Sequence, residues 1–507
     1  MKTYHTIKTL ALGGIAMFSL ASCSLDYEPL SEPSEITQGG QTETSTAVLK
    51  DKAAADAQLK SLYELFRNRQ EHTHLDYLLI GDSHSDNAYA GTTGAEVVPY
   101  ETNSIDASNS VLSRDWNRYL EDIAKANVLI NGVEQLKENG QISETEYHSY
   151  KAQGEIFRAL MMFRMARLWG SFPVITTIAK TITSDNINEV YPTYYPPRKT
   201  PKECYEQIIA DLTDAEQYAP DNDNSDRTKM TKTVAQAMLA KVYAEKEVQD
   251  YDKVIAYADK VMNTTGVELE DSYETLWGYD ETAIDCMKRN TKEGILEVHW
   301  SGGGTWETWM YGRQLDNWDY YFTWAKWITP SRDIINDFDK EGDEVRKNQA
   351  IVYYACTWSN YYPASNYPFM YKLRSSYNNI YWVRLADIIL MKAEAEAYKG
   401  NLAESAKLVN QIRKRAKLKE LTSDKTGSKE SMIEAVLHER RLELAFEGER
   451  WFDLCRNNKV EQYLNGIDNR DSGRIRQVKQ FDSNSYLLPI PQTALDQNTN
   501  LEQNPGY

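Results

Sequence analysis

Long apolar runs are scarce in this 507-residue chain. Beyond residue 21 no stretch of 18 apolar residues occurs, so no later segment reads as a membrane-spanning helix. Cysteine is scarce too. The five are Cys23, Cys204, Cys286, Cys356 and Cys455, without CxxC spacing, which argues against a zinc site or a redox motif. The last four are best taken as idle thiols, with a disulfide between some pair of them left open for an exported chain. No basic cluster offsets a formal charge of −18, so a phosphate backbone would be repelled and nucleic acid is a poor partner. HExxH and nucleophile-elbow motifs are absent. What remains is globular in composition: 41% hydrophobic and 26% charged. The excess lies in 34 Tyr and 12 Trp against 11 Phe, rings with a flat apolar face and a polar edge that suit half-wet surfaces.

The first residues set the compartment. Lys2 and Lys8 precede an apolar stretch from Leu10 to Ala21, too short for a bilayer core of ~30 Å and arranged as a signal peptide. It ends in Leu20-Ala21-Ser22-Cys23, which resembles a bacterial lipoprotein lipobox. That resemblance implies removal of residues 1–22 and acylation of Cys23. The attached chains would hold the protein on a membrane, each buried CH₂ contributing about 0.8 kcal/mol. Asp26 and Glu28 resemble the acidic export signal that sends Bacteroidetes lipoproteins to the outer face. Residues 23–50, rich in Ser, Thr, Glu, Gly and Pro, read as a tether to a body spanning 51–507.

Within the body, helical periodicity dominates. Ala54, Leu59, Leu62, Tyr63 and Phe66 form one stripe; Trp116, Leu120, Ile123, Ala124, Asn127 and Ile130 form another. Residues 155–169 are apolar on most sides, as in a central helix, and Gly170 with Pro173 ends them. Residues 235–262 and 385–416 each place small residues at helical spacing around a short turn, as in tetratricopeptide-like pairs. Nothing in the sequence fixes how the two pairs stack. The fold class expected is mainly α: a helical scaffold with a loop-rich insertion of loops and short strands over about 265–381.

That insertion carries six of the twelve tryptophans between positions 300 and 327. Sugars present CH faces and hydroxyl edges, so aromatic rings with nearby amides, carboxylates and guanidiniums suit them. Trp306, Trp309, Trp318 and Tyr320 are the expected stacking residues, with Arg313, Asp316 and Asn317 as polar partners. Trp324 and Trp327 are expected to pack the loop onto the scaffold. A second polar stretch, residues 81–94, reads as an exposed loop. His72 and His74, poorly spaced for one helical face, and the incomplete calcium-loop pattern at Asp221, Asp223 and Ser225 read as solvated surface.

Five blocks in order resemble the SusD/RagB family. They are KAQGEIFRALMMFRMARLWGSFPVI, TPSRDIINDFDKEGDEVR, WVRLADIILMKAEA, ERRLELAFEGERWFDLCR and the C-terminal LLPIPQTALDQNTNLEQNPGY. The resemblance implies a helical outer-membrane lipoprotein, exposed at the cell surface. It implies non-catalytic binding of oligo- or polysaccharide and delivery to a SusC-like TonB-dependent transporter, with no cofactor and a lipid anchor as the sole membrane contact. It also carries Asp86, Asn87 and Tyr89 over as ligand contacts. Arg440, Arg441 and Arg450 beside Glu439, Glu443, Glu447 and Asp453 read as ion pairs between helices, with Trp451 and Phe452 packed below. The alternatives are a peptide-binding relative, a repeat-type interaction protein, or a glycoside hydrolase, which would need two carboxylates about 5–9.5 Å apart.

Overall fold

The computed structural model describes residues 49–91, 94–300, 327–375 and 377–507. Helix α1 (Lys52–Asn68) starts at Asp51, whose carboxylate accepts the Ala54 N–H at 2.9 Å. It lies on α2 (Ser110–Glu138), where all six residues of the expected stripe are buried. Helix α3 (Glu144–Trp169) opens with a reciprocal cap between Ser143 and Glu146 and closes at Gly170, whose φ of 72° suits glycine. Every residue from Ala152 to Trp169 is buried, so the helix expected at the centre is there. The ladder continues through α4 (Pro201–Tyr218), α5 (Lys232–Ala244) and α6 (Tyr251–Met262), each packed on the one before.

The stretch expected as loops and short strands is less irregular than its composition suggests. Among its described residues, besides short strands and the short helical turn Tyr273–Trp277, it holds α7 (Arg332–Glu341) and α8 (Glu344–Ala350), which correct that expectation. Ser331 caps α7 through the Ile334 N–H, and Gly342 ends it at φ 68°. Four antiparallel ribbons line this part; three concern the site. Strand β1 (Ala88–Tyr89) pairs with β3 (Thr329–Pro330). Strand β2 (Gly294–His299) pairs with β6 (Asn379–Arg384). Strands β4 (Ile351–Tyr354) and β5 (Tyr367–Met370) form a hairpin.

Helices α9 (Leu385–Lys399), α10 (Leu402–Arg415), α11 (Lys429–Glu443) and α12 (Arg450–Arg456) complete the body. Both expected helix pairs form, and they stack on each other: α6 packs against α9 although 122 residues separate their ends. Tyr251 and Tyr398 stack at 4.7 Å across the joint, and Lys392 reaches Asp259 at 2.6 Å.

The Arg- and Glu-rich block is structural, and its reach exceeds the expectation. Arg440 joins Asp453 and Asp387, each at 2.8 Å; Arg456 grips Glu394 at 2.6 and 2.9 Å. Arg346 bonds Glu439 at 2.7 Å, and Arg384 bonds Glu293, Glu443 and Glu447 at 2.6–2.8 Å. Most partners lie far away in sequence. All but the half-buried Glu447 are buried, so the bidentate geometry has to offset desolvation of both charges. Trp451 and Phe452 are buried beneath, as expected.

Candidate functional site

Seven of the expected ligand contacts, Trp306, Trp309, Arg313, Asp316, Asn317, Trp318 and Tyr320, lie outside the described residues, as does Trp324. Of that segment's flanks, Trp300 is buried against His74, and Trp327 is half-buried against the core, the packing role expected of it. Cys23 also lies outside the described residues, whereas Cys204, Cys286, Cys356 and Cys455 are free thiols.

The other three expected contacts require correction. The stretch 81–90 is not an exposed loop: Asp86, Asn87 and Tyr89 are fully buried. Both Asp86 oxygens accept from Arg450, at 2.8 and 2.9 Å, and its backbone oxygen accepts from Ser331 and Arg441. Burial would raise this carboxyl, but Arg441 and Arg450 outweigh it and hold it below the usual carboxylate range. Asn87 bridges Asp82 and Arg441. Tyr89 donates to Asp471 at 2.6 Å and stacks on Tyr361 at 4.4 Å. These side chains are spent on protein partners. His72 and His74 are likewise interior: His72 is bonded to Asp122 at 2.8 Å, and burial with the Arg164 charge pushes His74 down to about 3. Asp223 is in the solvent-facing loop expected of it, held by Ser225 and Lys229.

What this buried strip positions is a set of rings. Through β1 and β3 it meets the β4–β5 hairpin, whose register sets Ile351 opposite Met370 and Tyr354 opposite Tyr367. Inside the hairpin, Tyr367, Phe369 and Cys356 form a small core, with Trp358 edge-on to Tyr367 at 4.5 Å. On the strand itself, Tyr353 and Tyr354 are 38% and 36% exposed, one on each face of the ribbon, a high fraction for large rings. The hairpin loop is fastened by Tyr361, which donates to Glu101 at 2.6 Å, and Tyr362, which donates to the Pro330 carbonyl at 2.8 Å. Arg332 lies over the Tyr362 ring at 4.2 Å. Burial pushes both phenols up, so they stay neutral donors. The result is a rigid aromatic edge with polar groups beside it, next to the point where the Trp-rich segment rejoins the body. Sequence reasoning passed over this hairpin, although residues 353–371 carry eight aromatics in 19 positions.

Burial raises several carboxyls, all in the interior: Asp82 to about 7, held by Asn87 and backbone N–H groups, Glu155 to about 8, held by Lys151, and Asp115, pushed well up by burial and by its neighbour Asp76. Among the described residues no group of three or more His, Cys, Asp or Glu side chains is placed to hold a metal ion, and no helix is long and apolar enough to cross a membrane.

Two family models match, one at each end of the body. Residues 41–244 match the family described as starch-binding and associating with the outer membrane, and residues 366–507 match the SusD family. The chain belongs to the SusD family. Among curated SusD-like relatives, SusD-like protein P2 of Formosa agariphila is 27% identical over 79% of this chain and 81% of its own. A SusD-like protein of Bacteroides ovatus is 24% identical over 74% of this chain and 70% of its own. The SusD fold is shared with a Bacteroides vulgatus superfamily structure at TM-score 0.74 and 20% identity, over 91% of this chain and all of that one. A laminarin-binding SusD-like protein superposes at TM-score 0.70 and 22% identity, over 90% of this chain and all of its own.

Proposed function

We propose that this SusD-family chain is a surface lipoprotein that captures oligo- or polysaccharide without altering it and passes it to a SusC-like TonB-dependent transporter. Cleavage before Cys23 and acylation of that residue would anchor it, and residues 23–50 would give the body slack above the membrane. Sugar faces stack on Tyr353 and Tyr354, joined by Trp306, Trp309, Trp318 and Tyr320, while Arg313, Asp316 and Asn317 bond hydroxyl edges. The observation that supports the proposal is that Tyr353 and Tyr354 each keep more than a third of their surface exposed, on a hairpin whose loop is fastened by Tyr361 and Tyr362.

The test uses anchor-free chain beginning at Ser24 on native gels containing laminarin, starch and other polysaccharides in turn. Retardation by at least one glycan is expected, with no new reducing ends after prolonged incubation. Uniform mobility across the panel would oppose capture, and released sugar would favour a hydrolase. Separately, labelled palmitate should enter the full chain and fail to enter Cys23→Ser.

A further inference from the structure

A small polar cavity lies where seven segments meet, among them α9 with Asp387 and the 444–449 turn with Glu447 and Glu449. Its volume is about 30 Å³, room for one or two waters or a single ion of similar size. His74 and Tyr77 enter from the winding segment after α1, Arg164 from α3, Trp277 from a short helical turn, Lys372 from the chain after β5, and Trp382 from β6.

The charges around it do not cancel pair by pair. Three carboxylates line the wall, and each is already engaged. Glu447 takes Lys372 at 2.6 Å and Arg384 at 2.7 Å; Glu449 takes Arg167 at 2.9 Å and Lys241 at 3.0 Å; Asp387 takes Lys241 and Arg440. Arg164 is left over. It is 8% exposed and forms no ion pair with a carboxylate among the described residues. Its guanidinium lies over the rings of Tyr77 at 3.1 Å and Trp382 at 4.4 Å, and its Nη1 has no hydrogen-bond acceptor. Aromatic faces soften the burial of a cation but do not replace an anion.

Two more groups on the same wall lack partners: the indole Nε1–H of Trp277 and Nε2 of His74. The indole can only donate, and the imidazole donates as its Nε2–H tautomer. Burial and the Arg164 charge hold His74 neutral, so it serves as a neutral hydrogen-bond donor.

We infer that this cavity is a binding site for a small monovalent anion of the halide class, held by Arg164, Trp277 and His74. Chloride is the abundant occupant of that chemistry. Bound there, it would neutralise the unpaired guanidinium and tie α3 to the segments carrying His74 and Trp277. None of the hairpin residues 351–370 lines the cavity, and the inference does not depend on glycan capture.

Crystals of anchor-free chain grown in sodium bromide test this, with data collected at the bromine absorption edge. An anomalous peak inside the cavity is expected for the unaltered protein. It should vanish in Arg164→Met and weaken in Trp277→Phe, which removes one donor and keeps the ring. Should Arg164→Met fail to fold, Trp277→Phe decides alone, read by the lowered occupancy and by a smaller rise in melting temperature when chloride replaces gluconate at constant ionic strength. Water density without an anomalous peak would overturn the inference, as would a peak undiminished in Arg164→Met or, where that variant does not fold, in Trp277→Phe.

Discussion

Asp86 shows how differently one side chain reads in sequence and in space. Within GDSHSDNAYAGTTG it has the company of an exposed polar loop; in the fold it accepts two hydrogen bonds from Arg450 and faces Arg441. Those arginines stand more than 350 residues away, so no local pattern announces them. Asp86→Asn leaves two buried guanidiniums short of charge, and a loss of about 3–5 kcal/mol in urea unfolding is expected. Normal stability with loss of glycan retention would instead restore a ligand role to this residue. Acid titration gives a second residue-scale test. Glu341 is lowered to about 2 by its hydrogen bond from His438, against burial and with help from Arg413. Its contribution is therefore complete above the ordinary Glu value of about 4.3 and is lost as pH falls toward 2. Asp82 and Glu155 have the opposite sign. Burial raises them to about 7 and about 8, so the folded state keeps protons that the unfolded chain has released. Their effect is a decline in stability as pH rises from about 4 to 8. Urea midpoints should thus peak in the mildly acidic range; a midpoint still climbing from pH 5 to 8 would contradict these assignments.

At the scale of elements, helix stripes and ends were legible while contacts between elements were not. The α1 and α2 stripes and the Gly170 stop are local consequences of periodicity and backbone geometry at a helix end. The α6–α9 joint and the α7–α8 pair were missed for different reasons. The first depends on residues such as Tyr251 and Tyr398 that meet only after folding. The second was hidden by a Trp- and Tyr-rich neighbourhood that dilutes the helical signal. One element contact is unusually intolerant. A Cβ on Gly81 would sit 2.2 Å from the Gly448 carbonyl oxygen, where the winding segment crosses the 444–449 turn. Gly81→Ala should cost about 3 kcal/mol or more, since backbone lies on both sides. Ser143→Ala, at an exposed cap, should cost about 1 kcal/mol. Urea midpoints of the two variants give the ranking; equal effects would mean that the crossing relaxes easily.

For the whole molecule, membership of the SusD family was readable from five ordered blocks. They could be read because they encode the ion pairs and helix packing that every strand and loop leans on, including Arg440 with Asp453 and Arg456 with Glu394. The ligand face was less legible. Ring density marks where aromatics are but not which way they turn, and Tyr361 and Tyr362 were consumed as fasteners while Tyr353 and Tyr354 stay more than a third exposed. The central claim is that exposed rings, with no reacting group, give this chain its affinity for glycan. Isothermal titration of an oligosaccharide from whichever polysaccharide retards the protein tests it most directly, comparing unaltered chain with Tyr353→Ala/Tyr354→Ala. Losing both stacking faces should weaken binding at least tenfold, about 1.4 kcal/mol, with the urea midpoint unchanged. Equal affinity in the two proteins would contradict the account.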